Sequence, residues 1–478
     1  MKISQPTLNR SLGLFTATLL VAGIMIGSGI FKKIVPMSQT GLSEAWILIA
    51  WVIPGIITMF CALNLSGLAS LTEESGGAYE YLRLSFGNFF SFLFGWSAFT
   101  VSGTATLAAV AFIFSQTLHS LVPLPNPLQT WEGISIGNFI YPFADSGIKI
   151  LAILVMTLFT WVNYRGVKKG GYLNNIFTST KILGIVILVV LGLLYISPAS
   201  VQQVTGGTAH EMHGIIFFSA FFTAMLSALW AYNGWLDVTA VTGEVKNPKR
   251  NVPLAVITGV SIVMMVYVLT NYSYMHVLPL TRLASVGSNE IGAAVVAETL
   301  IGNLGKTIII VLIMISVLGT VNGGILVYSR IYFRMAQEGF FFQKFSRVHS
   351  RYRTPYFSLV AATLWSSLLI ISGTFDMLTN MVVFTNFLFF GLLAIALIKM
   401  KRKGMIKVKT IGYPVVQVVI ILFSVALIIN TFITEPKQSL LGGCLVLLGV
   451  PFYYYFRKKR QSEKKEKQEL TVETDNRA

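Results

Sequence analysis

Apolar residues run along this chain in long blocks that short polar segments separate. Twelve blocks can be delimited and numbered as spans 1 to 12, at residues 11–33, 43–67, 88–118, 147–164, 172–195, 214–243, 253–277, 304–335, 355–373, 376–399, 411–433 and 438–456. A helix of about 20 residues crosses the roughly 30 Å hydrocarbon core of a bilayer. The pattern therefore predicts an all-α membrane protein with twelve transmembrane helices.

Two of these spans are interrupted near their middle. Span 1 carries three glycines and a serine within residues 23–29, and span 6 carries Asn233 and Gly234. Glycine disfavours a continuous helix, and non-helical backbone persists at membrane depth only where it is buried in protein or lines a wet cavity. Spans 1 and 6 lie five apart, the spacing expected of inverted repeats formed by spans 1–5 and 6–10. Paired broken helices of this kind predict a substrate site at the midplane.

The chemistry of the two breaks suits an α-amino acid. The half-helix that begins near Ser28 presents free N–H groups and a positive dipole end to a carboxylate. Unpaired carbonyls near Met25 and Ile26, together with those near Trp230 in span 6, provide acceptors for an ammonium group. The alternative is that the small residues 27–29 only let neighbouring helices approach closely. The matching break in span 6 favours the substrate site.

Lys181 lies some ten residues into span 5. An ionisable side chain at that depth costs several kcal/mol by most scales, so it needs a function or a partner. One hypothesis is a fixed or titratable cation beside the broken helices, which does the work of a bound sodium ion. The alternative is that span 5 begins later and that Lys181 reaches the membrane interface.

Weaker candidates surround the break in span 6. Asp237 could pair with a cationic group or cap the second half-helix, and we favour the cap. Trp230, Tyr232 and Trp235 could gate a pocket, although aromatic residues on membrane helices usually pack or form belts. Trp230 is the best placed, because it adjoins the break. The five histidines and two cysteines show no metal-ligand spacing, so we predict no metal, no cofactor and no enzymatic activity.

Composition and charge exclude a soluble or nucleic-acid-binding protein. Of 478 residues, 54% are apolar and 12% are charged, about half the charge of an ordinary soluble domain. The formal net charge is +17, but most lysines and arginines fall in the segments on the side of both termini. This positive-inside distribution predicts a cell-membrane protein with cytoplasmic termini and only weak attraction to anionic membrane lipid.

These observations predict three regions in the chain. Residues 1–10 form a cytoplasmic N-terminus, residues 11–456 the transmembrane transporter domain, and residues 457–478 a charged cytoplasmic tail. Within the transporter domain, the inverted repeats cover about 11–195 and 214–399, and helices 11 and 12 follow them.

Five motifs give the chain a family resemblance over roughly residues 10–455. They are GxxIGSGIF at 23–31, SGGAYEYL at 75–82, the lysine at 181, WAYNGWLDVTAVTGEVKNPKRNVPLA at 230–255, and NGG…SR…AQEG…H…TP at 322–355. In this order they resemble the amino acid–polyamine–organocation superfamily and, within it, the L-type amino acid transporter family. Bacterial serine/threonine and alanine-serine-cysteine exchangers are particularly similar.

The resemblance implies a fold and a role for the span-5 lysine. The fold would be the five-plus-five inverted repeat that sodium-coupled amino acid symporters share (the LeuT-like fold), with two extra spans. Lys181 matches a lysine that stands where the sodium ion of the symporters sits. It would link spans 1, 5 and 8 and make transport independent of sodium.

The resemblance also implies a substrate site. The backbone of Gly27, Ser28 and Gly29 would hold the substrate carboxylate, and carbonyls around Met25, Ile26 and Trp230 would face the amino group. Trp230 would be an aromatic gate. Asn233 occupies a position that contacts the substrate and influences its size.

The expected function is sodium-independent exchange of small or medium neutral L-amino acids by alternating access. A proton-coupled symporter or an antiporter of cationic amino acids or amines is the alternative, because Lys181 could titrate and Asp237 could bind a cation. The string at 244–253 also resembles arginine/agmatine antiporters, although Ile325 replaces their second tryptophan. A sensor that binds ligand without moving it is a third hypothesis. Cys61 and Cys444 both lie in apolar spans, so we expect no disulfide-linked heavy subunit.

Overall fold

The structure, a computed structural model, describes residues 13–71, 77–165, 170–196, 214–236, 245–287, 289–352 and 354–475. Its α-helices, in chain order, are α1 (Leu14–Met25), α2 (Gly29–Lys32), α3 (Ile34–Ser38), α4 (Glu44–Leu68), α5 (Gly77–Phe86), α6 (Asn88–Ser97), α7 (Gly103–His119), α8 (Ser146–Tyr164), α9 (Gly170–Leu194), α10 (Gly214–Ala231), α11 (Pro248–Val277), α12 (Leu280–Ala284), α13 (Gly292–Gln337), α14 (Tyr356–Ser372), α15 (Phe375–Arg402), α16 (Val415–Thr434), α17 (Pro436–Leu447) and α18 (Gly449–Asp475). The described residues hold no β-strand beyond isolated bridges.

Most of these helices are suited to a membrane. Nine helical segments of the described chain are long and apolar enough to cross one, namely Glu44–Leu71, Asn88–His119, Ser146–Tyr164, Gly214–Ala231, Arg250–Val277, Gly292–Gln337, Phe375–Arg402, Val415–Thr434 and Pro436–Ser462. Three shorter apolar helices are Leu14–Gly23, Lys181–Leu194 and Tyr356–Ser372. Together these segments cover the twelve predicted spans in order. The helical architecture is confirmed, and the count of twelve crossings stays a prediction.

Three boundaries differ from the predicted spans. The helix of span 8 begins at Gly292 instead of residue 304, with a kink at Gly302 (φ 66°, ψ −158°), a backbone conformation that favours glycine. The second half of span 1 is two short helices, α2 and α3, that meet at Lys33. The last helix runs on from the apolar span through the charged tail to Asp475.

The residues at the two ends of α15 stabilise this helix. Thr374 precedes the helix, and its side chain accepts a hydrogen bond from the Met377 N–H at 3.3 Å. Asp376 lies in the first turn, and the basic residues of the last turn are Lys399, Lys401 and Arg402. Both ends therefore complement the helix macrodipole.

Packing places α11 beside both broken helices. The first helix, α1, packs against α11, and α11 and α10 both pack against α4. On the other side, α13 packs against α7 and α9, and α15 packs against α7, α10 and α16. The ends of α1 and α10 thus lie inside the bundle, where the structure must pair or solvate their backbone groups.

Candidate functional site

The first helix stops inside the bundle and restarts after three residues. It ends at Met25, Ile26 adopts φ −70° and ψ 87°, and α2 begins at Gly29. Ile26 and Ser28 are buried. The segment that the sequence predicts to be non-helical therefore lies in the protein interior, where unpaired backbone groups need partners.

The second break follows α10. This helix ends at Ala231, residues 232–234 form a turn, and Gly234 has φ 103°. A side chain at that φ would be strained, so the glycine is required by the turn. Asp237, the weaker candidate beyond the break, lies outside the described residues.

The two breaks touch each other. A Cβ atom added to Gly29 would lie 2.6 Å from the Cα atom of Ala231, whereas a Cβ atom on Gly27 would meet only the Met25 carbonyl at 3.8 Å. The close-packing interpretation of the glycines therefore applies at Gly29. It does not apply at Gly27, which has room beside it.

Tyr267 of α11 joins the two breaks. Its hydroxyl lies 2.8 Å from the Met25 carbonyl oxygen and 2.9 Å from that of Ala231, and the side chain is fully buried. Because a phenol has one proton, the hydroxyl donates to only one of these carbonyls at a time. Sequence reasoning missed this residue, since a tyrosine in an apolar span carries no signal that separates packing from function.

Donors and acceptors are left over at the breaks. Within the described chain, the N–H groups of Ser28, Gly29 and Ile30 have no hydrogen-bond acceptor, and the Ile26 carbonyl has no donor. The Trp230 carbonyl accepts the Asn233 N–H at 3.0 Å. A carbonyl has two lone pairs, so this oxygen keeps one for another donor.

Lys181 reaches the same place from α9. Its ammonium group donates to the Gly23 carbonyl at 2.6 Å, and the residue is buried. The helix begins at Gly170, about three turns earlier, and the side chain is directed to α1 instead of the membrane interface. Three residues further on, Gly184 lies against Leu312 of α13, so α9 lies between α1 and α13 here.

The other predicted residues of span 6 separate into two sets. Trp230 is buried, and its ring lies edge-on to Phe375 at 6.2 Å between centroids. Asn233 accepts a long hydrogen bond of 3.4 Å from Asn386 and lines a small cavity with it. By contrast, the Tyr232 hydroxyl donates to the Trp51 carbonyl at 2.9 Å. Packing against α4 therefore accounts for Tyr232.

Sequence reasoning gave no role to Lys32 and Lys33, and the structure buries both. Lys33 donates to the Asp376 carboxylate and to the Thr379 hydroxyl, each at 2.7 Å. Lys32 donates to the Gln116 side-chain oxygen. The sequence does show two adjacent lysines between apolar residues, which is unusual. It does not show their partners on α7 and α15, which lie 84 and 343 residues away.

These contacts belong to one network, which reaches Trp230 through Phe375. Gln116 donates to Asn289 at 2.8 Å, and Asn289 donates to Asp145 at 3.0 Å. The ammonium groups of Lys32 and Lys33 lie 5.0 and 4.8 Å from the centre of the Phe375 ring, within cation–π range. We call Lys32, Lys33, Gln116, Phe375 and Asp376 the lysine network. It fastens α2 to α7 and α15, and Phe375 connects it to Trp230.

No metal centre accompanies the site in the part of the chain that the structure describes. No group of three or more histidine, cysteine or acidic residues there could hold a metal ion. Both cysteines are free, with Cys61 buried and Cys444 exposed.

Comparison with known proteins gives consistent results. The family model described as amino acid permease matches residues 12–450. The chain is similar to the serine/threonine exchanger SteT of Bacillus subtilis, at 27% identity over 93% of this chain and 96% of the relative. It is also similar to the mouse large neutral amino acids transporter small subunit 2 (29% identity, 93% and 81% covered) and to the mouse b(0,+)-type amino acid transporter 1 (26%, 95% and 89%).

Proposed function

Because this chain belongs to the amino acid permease family, we propose that it exchanges L-amino acids across the cell membrane by alternating access, without sodium. Small or medium neutral amino acids are the proposed substrates. The chain is a multi-pass membrane protein, as its family and its long apolar helices indicate. The observation that carries the proposal is the meeting of two broken helices, with backbone donors on one side and carbonyl acceptors on the other.

The substrate carboxylate is held by the backbone of Gly27, Ser28 and Gly29. The room beside Gly27 and the N–H groups without acceptors at Ser28 and Gly29 support this placement. Since α2 has only four residues, the individual N–H groups matter more here than a long helix dipole. Buried N–H donors bind an anion well because no water competes for them.

The ammonium group is held by the carbonyls of Met25, Ile26 and Trp230. The carbonyl of Ile26 has no donor in the described structure, and that of Trp230 has one lone pair left. Tyr267 shares its single proton between Met25 and Ala231. An ammonium group that donates to Met25 would leave the phenol to serve Ala231. Asn233, beside the small cavity, contacts the substrate side chain.

Lys181 takes the place of a coupling sodium ion. It binds the α1 backbone at Gly23, as a cation in that place would. The packing of Gly184 against Leu312 supports a further link to α13, where the hydroxyl of Ser316, one turn from Leu312, is buried and has no hydrogen-bond partner in the described structure. In this way Lys181 would connect spans 1, 5 and 8.

Trp230 and the lysine network close the outer side. Trp230 lies under Phe375, and two buried lysines hold Phe375 from above. Opening would move α2 away from α15 and expose Lys33 to water, which already reaches the partly exposed Asp376. Hydration of the lysine would then offset the loss of the ion pair, so the closed and open states can be similar in free energy.

The architecture that goes with this function has twelve spans and two inverted repeats. The repeats cover about 11–195 and 214–399, spans 11 and 12 follow them, and both termini are cytoplasmic. The protein acts without a metal or cofactor, has no enzymatic activity and needs no disulfide-linked heavy subunit. The relatives of this chain are transporters, and both of its cysteines lie in apolar spans.

Counterflow into proteoliposomes tests the proposal. Vesicles with purified protein are preloaded with one unlabelled amino acid or amine, and labelled alanine, serine or arginine is supplied outside, without sodium or a pH gradient. We expect uptake only when a neutral amino acid is inside. Uptake of label into vesicles that contain no amino acid would contradict exchange. Exchange restricted to arginine or agmatine would instead indicate an amine antiporter.

Proton-coupled symport is the second candidate, and one observation favours it. Lys181 is buried against a neutral backbone carbonyl, and no carboxylate of the described residues forms an ion pair with it. Ionisable side chains inside membrane proteins often serve as proton relays. Uptake that needs an inward proton gradient, and that the Lys181→Met variant loses, would establish symport.

A further inference from the structure

A cleft opens at the end of the bundle where α13 and α18 leave the apolar region. Its volume is about 710 Å³. It lies between the one-turn helix Gln343–Ser346 that follows α13 and the middle of α18. The residues that matter for its chemistry are Phe342, Lys344, Phe345, Arg347, Tyr455 and Lys459.

The cleft lies at a boundary between apolar and charged surface. Along α18, an apolar stretch ends with the aromatic residues 452–456, and the basic run 457–460 follows at once. Aromatic rings of this kind concentrate at membrane–water interfaces. Phe342 lies in the opposite wall of the cleft and contacts Phe452 and Phe456 of α18, so both walls carry aromatic rings at the same level. One part of the cleft therefore faces hydrocarbon and the other faces water.

The charges of the cleft have one sign. Lys344, Arg347 and Lys459 are exposed, and none of the described residues that line the cleft is acidic. None of the three forms an ion pair with any carboxylate that the structure describes. Three cations gathered around one cavity repel each other, and an anion between them would remove that repulsion.

The aromatic part of the lining indicates what kind of anion fits. Phe342 is 42% exposed and Tyr455 is 58% exposed, and a small hydrophilic anion would leave both uncovered. An anionic phospholipid covers them with its acyl chains while its phosphate meets the cations. Basic pockets on the cytoplasmic side of membrane helices suit such headgroups.

We propose that this cleft is a binding site for one anionic phospholipid. The phosphate lies between Lys344, Arg347 and Lys459, and the acyl chains lie along Phe342 and Tyr455. The lipid joins the end of α13 to α18 and thereby stabilises the packing of the last span. This site is distinct from the general attraction of a positive surface to an anionic leaflet, and it does not depend on the proposed transport function.

The experiment measures retained lipid. Purified full-length protein is titrated in detergent with dioleoylphosphatidylglycerol or dioleoylphosphatidylcholine, and bound lipids are counted by native mass spectrometry. The variant K344Q/R347Q/K459Q is compared with K403Q/K407Q/K409Q, which loses the same charge from the exposed segment between α15 and α16. We expect the wild type and the second variant to retain one phosphatidylglycerol, and the cleft variant to bind it about tenfold more weakly.

Three results would overturn the proposal. They are equal retention of phosphatidylglycerol by the cleft variant, an equal loss in the second variant, and displacement of the lipid by millimolar inorganic phosphate. The second would indicate diffuse attraction, and the third a site for small anions. Weaker binding of phosphatidylglycerol to Tyr455→Ala, with unchanged monodispersity, would support the placement of the acyl chains.

Discussion

Buried lysines lie on both sides of the break in the first span, and they are paired in opposite ways. Lys33, which follows the break, forms an ion pair with Asp376 at 2.7 Å. Lys181, beside the helix that precedes the break, binds only the backbone carbonyl of Gly23 at 2.6 Å among its described partners. An ion pair with a carboxylate cancels charge and fixes two helices. A lysine that binds only a backbone carbonyl keeps a charge that no carboxylate cancels, and this charge can hold a helix that moves.

The difference indicates that the Lys33–Asp376 pair stabilises one conformation, whereas the contact of Lys181 with Gly23 couples α9 to α1. In the proposed mechanism, breaking the Lys33–Asp376 pair would alter the stability of the closed state and leave the proposed substrate groups in place. Removing Lys181 would leave the fold intact and uncouple α9 from α1. The predictions below test this contrast, in order of decreasing expected effect.

The largest effect is expected from Lys181→Ala. The variant should bind substrate but exchange it 10- to 100-fold more slowly, because a hydrogen bond to a charged group contributes about 1.5–3 kcal/mol. Counterflow rates and equilibrium substrate binding would be measured on the same preparation. Lys149→Ala is the matched control, since Lys149 also binds backbone carbonyls, of Tyr141 and Ile371, away from the breaks. Wild-type exchange by Lys181→Ala would refute the contrast.

The Lys33–Asp376 pair should respond asymmetrically to substitution. The side chain of Lys33 is 1% exposed and that of Asp376 is 41% exposed. Asp376→Asn leaves a buried charge without its carboxylate and should lower the free energy of unfolding by about 2–3 kcal/mol. Lys33→Met leaves a carboxylate that water can reach and should cost less than about 1 kcal/mol.

Unfolding of the two single variants and the double variant, in one detergent, completes the cycle. The double variant should be as stable as Lys33→Met, because Asp376→Asn does no harm once the lysine is gone. Equal losses in the two single variants would show that the carboxylate is as poorly hydrated as the lysine.

The breaks and Lys181 could be predicted from the sequence because each violates a rule that is visible in one dimension. Glycine and asparagine inside an apolar block, or a lysine about three turns into one, cost free energy unless they serve a site. The structure places the ends of α1 and α10 together, as expected of such a site. The roles of individual residues in binding stay predictions.

The lysine network and Tyr267 could not be predicted, because their meaning depends on distant partners. Lys33 and Asp376 are 343 residues apart, and nothing in either segment identifies the other. Tyr267 looks like any tyrosine of an apolar span until α11 is placed beside both breaks. The early start of α13 was missed for a similar reason, since Gly302 interrupts its apolar pattern and the kink there is visible only in three dimensions.

Tyr267→Phe tests the backbone carbonyls at the two breaks. The variant removes a donor shared by Met25 and Ala231 and should reduce substrate affinity or exchange about tenfold, since an unsatisfied buried group costs about 1–3 kcal/mol. Tyr274→Phe is the matched control on the same helix, because the Tyr274 hydroxyl is buried without a hydrogen-bond partner in the described structure. Loss of the Tyr274 hydroxyl should leave substrate affinity and exchange unchanged. Equal effects of the two variants would mean that Tyr267 contributes only packing.

Substitutions at the two glycines should have a smaller effect than that of Lys181→Ala, and they separate packing from binding. Gly29→Ala should lower the free energy of unfolding by about 1–2 kcal/mol, because its Cβ atom would overlap the Ala231 backbone. Gly27→Ala has room for the methyl group and should keep the stability of the wild type, while the methyl group weakens substrate binding. Thermal unfolding with and without a saturating amino acid would measure both effects. A stable Gly27→Ala variant that binds substrate as the wild type does would remove Gly27 from the site and leave the carboxylate to Ser28 and Gly29.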